Sequence, residues 1–125
     1  MAKINERFHA AIVSLRELVS PTMPIQQLDL LCYVSKNPNC SQLDICDGMQ
    51  MTQGAASRNL RTLGSYMERL PSGKERPGGH GLIEVRIDAF DPRKRNYRLT
   101  RKGELLVEAV NRICHNIQHI PLNGD

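Results

Sequence analysis

One segment of this chain combines residue types and spacing that suit a specific chemistry. From Thr52 to about Leu70 the apolar residues Ala56, Leu60, Leu63, Met67 and Leu70 recur at helical spacing. At about 100° per residue they share one side of a helix. Gly54, Ser57, Arg58 and Arg61 fall on the opposite side, with Gln53 in the first turn and Thr52 as a candidate N-cap. No acidic residue occurs from Thr52 until Glu68. Small residues let a helix backbone approach another surface closely. Arginine and glutamine present paired donors that match the edges of guanine and adenine. This face therefore suits the major groove of a nucleic acid duplex; the plainer reading is an amphipathic helix with a solvated cationic face. A second cluster, Arg93-Lys94-Arg95, sits in the turn signal Asp91-Pro92-Arg93-Lys94-Arg95-Asn96 and offers three adjacent cations for phosphates.

Other reactive residues do not assemble into a site. His115 and His119 stand four apart beside Cys114, a spacing that can share a metal on one helix face. They lie away from the apolar stripe, flanked by Asn116 and Gln118 with no third ligand, so they read as a solvated pair and no metal is expected. Asp44 and Asp47 fit a helix cap and a helix end better than a catalytic pair. Gly78-Gly79-His80-Gly81 precedes a strand rather than a helix, a poor phosphate cradle. No nucleophile, base and orienting group converge, and the expectation is a non-enzyme without cofactors. Cys32, Cys40, Cys46 and Cys114 form no Cys-x-x-Cys pair. Three of them (Cys32, Cys46 and Cys114) lie inside apolar helical patterns and are expected as small core or boundary residues in a reducing cytoplasm. None has an evident cationic neighbour to activate it.

Composition narrows the class. The 125 residues suit one domain able to bury a core without disulfides or metals. Seventeen basic residues face 13 acidic ones, but residues 52–102 alone hold 12 basic and 5 acidic residues, so the positive charge is concentrated there. That half is the candidate polyanion footprint. No apolar run approaches a membrane span, and the N-terminus lacks the apolar stretch of a signal peptide. With 3 Tyr and 2 Phe, unclustered, the chain lacks a stacking platform for single-stranded RNA.

The elements that must position these residues follow from periodicity. Ile4, Phe8, Ile12, Leu15 and Val19 form a helical stripe over residues 3–19. Residues 24–36 place Ile25, Leu28, Leu31 and Cys32 on one face. Ser41 with Asp44 opens a short helix that Asp47-Gly48 should stop. The helix from Thr52 to about Leu70 follows, and residues 71–81, with four glycines and two prolines, read as a loop. Residues 82–88 and 97–99 read as two strands of one ribbon. Thr100 caps a last helix striped by Leu106, Val110, Ile113, Ile117 and Ile120, and Pro121 and Gly124 end the pattern. The fold class predicted is mainly α with a small antiparallel β-ribbon, a winged helix-turn-helix. Residues 24–100 would form the DNA-binding core and wing, with 1–20 and 101–120 as dimerisation helices of a single domain.

The residues carry a closer resemblance. The stretch 40–63, CSQLDICDGMQMTQGAASRNLRTL, resembles the two-helix core of the MarR family of bacterial transcription regulators. The stretch from Gly81 through Leu106 is similar to that family's strand, wing and following helix, with Leu99, Thr100 and Gly103 matching its Leu-Thr-x-x-Gly signature. The resemblance implies a homodimeric regulator, more often a repressor, that binds an inverted repeat in double-stranded DNA. It places Gln53, Gly54, Ser57, Arg58 and Arg61 in the major groove, with Thr52 at the helix start, and Arg93, Lys94 and Arg95 on the wing. It names no small-molecule effector. This chain departs from the pattern in three ways: the added segment 71–81, Lys94 where the family often has an aspartate, and a single helix after the wing. The competing class is a winged helix used as a protein-interaction module, which would show apolar residues in place of Gly54, Ser57, Arg58 and Arg61.

Overall fold

The computed structural model describes residues 1–115. The order is α1 (Glu6–Leu18), α2 (Ile25–Lys36), α3 (Gln42–Met49), α4 (Gln53–Leu63), β1 (Tyr66–Arg69), β2 (Glu75–Gly78), β3 (Ile83–Ile87), β4 (Arg95–Leu99) and α5 (Arg101–His115). The chain forms two compact units, one of Pro24–Glu104 and one of Met1–Met23 with the segment from Leu105 onward.

Polar side chains set the helix starts. The Asn5 side chain accepts from the Arg7 and Phe8 amides at the head of α1. At α3 the Ser41 hydroxyl accepts from Asp44 N while Asp44 Oδ2 accepts from Ser41 N, the reciprocal capping box expected from sequence. Thr100 Oγ1 accepts from Gly103 N at the start of α5. Two boundaries differ from expectation. The helix α3 runs through Asp47 and Gly48 to Met49 and ends on Gln50 in the left-handed region, φ 52°. Gly48 is needed inside the helix because a Cβ there would collide with the Tyr33 ring. The larger difference is α4, which ends at Leu63 rather than Leu70.

Physical reasons for that early end are visible. The amides of His80, Leu82 and Gly81 donate to the carbonyls of Thr62, Leu63 and Gly64, satisfying the helix end with returning chain. Residues 66–69 then leave as a strand, so Met67 and Leu70 are not on the helix. Nor is 71–81 a plain loop. Antiparallel β1 and β2 pair Tyr66 with Gly78 and Arg69 with Glu75. The connection turns at Pro71-Ser72-Gly73, with Gly73 at φ 86°, a conformation glycine adopts without steric cost. Leu63, Met67 and Leu70 are spaced by four and three, so the helical pattern continued by coincidence into a strand.

The ribbon foreseen at 82–99 is β3–β4, in register from Ile83 opposite Leu99 to Ile87 opposite Arg95. An isolated bridge between Cys40 and Tyr97 ties the segment before α3 to β4. The core of the Pro24–Glu104 unit is built from Leu30, Leu31, Val34, Ile45, Ala56, Leu60, Leu63, Leu82 and Ile83, all buried. The α2 face is rotated from the expected one. Gln27, Leu30, Leu31 and Val34 are buried, whereas Ile25 and Cys32 are exposed. Both sets have helical spacing, and packing against α3, α4 and β4 selects between them.

In the other unit, Ala11, Leu15 and Leu106 are buried. The Arg7 guanidinium donates to the Cys114 carbonyl at 3.4 Å. Ile4, Phe8, Leu18 and Leu105 are exposed. The terminal stripes therefore differ in detail from those expected: Leu15 and Leu106 are already covered, and Ile4 precedes its helix. Ile12, Val19, Val110 and Ile113 are half-buried. Ile117, His119, Ile120, Pro121 and Gly124 lie outside the described residues. Among the described residues no helix is long and apolar enough to cross a membrane.

Candidate nucleic-acid interface

The α4 helix presents two unlike faces. Ala56, Leu60 and Leu63 are buried, and Thr52, Gln53, Gly54, Ser57, Arg58 and Arg61 are all exposed. Thr52 Oγ1 accepts from Ala55 N at 3.1 Å, fixing the first turn. Gln42 Nε2 on α3 donates to the Gln53 carbonyl at 3.2 Å. On the flank, Asn59 Nδ2 donates to Gln26 Oε1 at 3.1 Å and so links α4 to α2. These bonds hold the helix while leaving its outer face uncovered.

The two arginines of that face have different surroundings. A Cβ at Gly54 would stand 3.4 Å from Arg58 Nη1, so the Arg58 guanidinium lies back over Gly54 toward the helix start. Arg61 instead stacks on an aromatic ring, with Cζ 4.0 Å from the Tyr66 centroid. Tyr66 escaped the sequence reading because 66–69 was read as helix. Only the strand brings the ring under Arg61.

At the wing, Asp88 Oδ1 accepts from the amides of Phe90 and Asp91, and Asp91 Oδ1 accepts from Arg93 N. Asp88 N donates to the Lys94 carbonyl and Lys94 N to the Asp91 carbonyl, closing the turn. The two aspartates are thus engaged with backbone. None of the ion pairs among the described residues includes Arg93, Lys94 or Arg95, and all three side chains are exposed. Lys94 is near enough to Asp44 to help hold that carboxyl below its usual range, an effect due first to the bonds from the Ser41 backbone and side chain. On β3, Glu84 is ion-paired with Arg98 at 2.6 Å and with Arg86 at 3.8 Å.

Between α4 and the β3–β4 ribbon lies an open groove of about 480 Å³, lined by Gln42, Ser57, Arg61, Ser65, Val85 and Tyr97 among others. The fold therefore brings Ser57 and Arg61 to one wall and the wing strands to the other. Gln42, Ser65 and Tyr97 were not singled out from the sequence, since nothing in their spacing marks them as groove residues.

The other reactive groups fall elsewhere. All four cysteines are free. Cys40 is buried and Cys46 and Cys114 half-buried, but Cys32 is exposed, contrary to the expectation that it is core or boundary. Its thiol is nonetheless held above the usual range by partial desolvation and by Asp29, against the opposing effect of Lys36. Asp44 belongs to the α3 cap, as read from sequence, whereas Asp47 lies within α3 instead of ending it.

No protein-family model matches the chain, and no curated protein sequence matches it. Solved structures do. The chain is similar to Staphylococcus aureus MepR in a MepR–DNA complex, at 27% identity over 91% of this chain and 80% of that one, with a TM-score of 0.65. It shares the fold of Streptococcus pneumoniae FabT in complex with DNA, at 21% identity, 90% and 69% coverage and a TM-score of 0.62. It also shares the fold of MarR, at 18% identity, 90% and 72% coverage and a TM-score of 0.54. These proteins are all MarR-family winged-helix transcription regulators. The chain has the winged helix fold of these regulators. Within this fold, α3 and α4 form the helix-turn-helix pair and β3–β4 the wing. The β1–β2 hairpin occupies the segment where the resemblance implied a direct run from helix to strand.

Proposed function

We propose that this protein is a homodimeric, sequence-specific double-stranded DNA-binding regulator, acting as a repressor by occupying an inverted-repeat operator. The α4 helix enters the major groove, reading bases with Gln53, Arg58 and the small residues Gly54 and Ser57, while Arg61 and the wing cations Arg93, Lys94 and Arg95 contact phosphate. Thr52 fixes the helix start at the duplex. The reading rests on one observation above the others. The outer face of α4 is small, polar and cationic, and it stays uncovered, in a chain similar to a protein solved on DNA. A protein-docking helix would present apolar groups there.

Dimerisation is supported by apolar side chains that the single chain leaves in water. Ile4, Phe8 and Leu18 near or on α1, and Leu105 on α5, are exposed within one unit. A two-fold axis through α1 and α5 would cover these groups and give the dimer two α4 helices, one for each half-site. Nothing in the proposed action requires a catalytic group, a metal or a cofactor. Four free cysteines suit a reducing cytoplasm.

Selection of bound duplexes from a random pool tests the proposal. A palindromic consensus with half-sites about one turn apart is the expected result. Failure to retain any duplex at low salt would overturn it.

A further inference from the structure

The proposed interface leaves the β1–β2 hairpin without a task, yet its first residue touches the centre of that interface. The Tyr66 ring lies with its centroid 4.0 Å from Arg61 Cζ. Its seat is defined on both sides. Gly78 is its partner across the hairpin, and a Cβ there would stand 2.6 Å from the ring, so the ring lies over bare backbone. At the root, the amides of His80, Gly81 and Leu82 are bonded to the last carbonyls of α4 and the residue after it. The ring is thereby fixed relative to the turn from which Arg61 projects. A guanidinium stacked on a ring face keeps its in-plane N–H donors directed outward. Here the stacked Arg61 lines the groove between α4 and the wing, together with Ser57 and Ser65. The groove's own carboxylate, Glu84, is ion-paired with Arg98 and Arg86, and no ion pair among the described residues includes Arg61. Arg58, one turn nearer the helix start, lies over Gly54, with no ring contact among the described residues.

We infer that Tyr66 is a positioning residue that stacks Arg61 into this groove to clamp a backbone phosphate, leaving Arg58 as the arginine that reads a base. The inference rests on the DNA-binding reading and deepens it. It gives the hairpin a function: to limit the conformations of one arginine before DNA arrives, so that less freedom is lost on binding.

The test is fluorescence anisotropy over a salt series with two probes, a random-sequence duplex and a duplex selected from a random pool by the wild-type protein. Arg61→Ala should weaken binding to both by the same factor and lower the logarithmic salt slope by about one. Arg58→Ala should shrink the ratio between the two affinities. Tyr66→Phe keeps the ring and should match wild type. Tyr66→Leu should weaken both probes about two- to fivefold, with no further loss when Arg61 is already alanine. Equal damage by Tyr66→Phe and Tyr66→Leu, or additive losses in the double variant, would overturn the positioning role. A changed affinity ratio in Arg61→Ala would overturn the phosphate assignment. A readout independent of the leucine variant's stability is the ring-current shift of the Arg61 side-chain protons in the wild-type protein, and its absence would also overturn the inference. Wild-type protein that binds neither duplex would instead refute the DNA-binding reading, and this inference with it.

Discussion

Neutralising the wing cations isolates their electrostatic contribution without disturbing the fold that carries them. The turn at 88–94 is closed by backbone bonds between Asp88 and Lys94 and by the Asp88 and Asp91 carboxylates on backbone amides. None of these bonds uses the side chain of Arg93, Lys94 or Arg95, so replacing all three with glutamine should leave the hairpin intact. Each phosphate contact contributes about 0.9 to the logarithmic salt slope on duplex DNA. The three sites are not equivalent. Arg93 and Arg95 have no ion-pair partner among the described residues, whereas Lys94 is near enough to Asp44 to help hold that carboxyl below its usual range. The triple variant should therefore lose roughly 1.8 units of slope from the two arginines, rising to about 2.7 if Lys94 contributes fully. Between about 50 and about 200 mM salt, wild-type affinity should then fall roughly 12- to 40-fold more than that of the variant. Titration by anisotropy on a single duplex measures both slopes. A variant that binds with the wild-type slope would show that the wing stands clear of DNA and that the charge argument fails.

Three other outcomes follow from the same structure. Thr52→Ala removes the acceptor for the Ala55 amide, and should cost on the order of 1 kcal/mol, lowering Tm by about 4 °C in a thermal melt. Phe8 is 55% exposed in the single chain, so Phe8→Glu should leave the monomer folded while removing about 0.8–1.7 kcal/mol of further burial per protomer from a two-fold dimer. Sedimentation should show its dissociation constant raised by roughly one to two orders of magnitude, and an unchanged dimer would place the interface elsewhere. Cys32 is exposed but its thiol is held above the ordinary value of 9.0, so it is protonated at neutral pH. Its alkylation by iodoacetamide at pH 7 should be slower than that of a free thiol and should accelerate as pH rises past 9.0. Fast modification at pH 7 would contradict this assignment.

The outer face of α4 was legible in the sequence because helical phase is a local property. Once Ala56, Leu60 and Leu63 are buried, Gly54, Ser57, Arg58 and Arg61 must point away, and they do. The caps at Ser41, Thr52 and Thr100 and the wing turn were equally local, each set by a side chain bonding backbone within three residues. The α2 face was not, since two sets of residues with helical spacing compete and only packing against α3, α4 and β4 chooses Leu30 and Val34 over Ile25 and Cys32. Nor was the end of α4. Apolar spacing carried the helical pattern through Met67 and Leu70, while the decisive bonds come from His80, Gly81 and Leu82, about 18 residues from their acceptors in the chain. That tertiary closure turns a supposed loop into a hairpin and sets Tyr66 against Arg61. Residue types and spacing thus determined which charges face outward. Only bonds between distant segments decided which arginine stacks on a ring, because that ring arrives through strand pairing rather than helical phase.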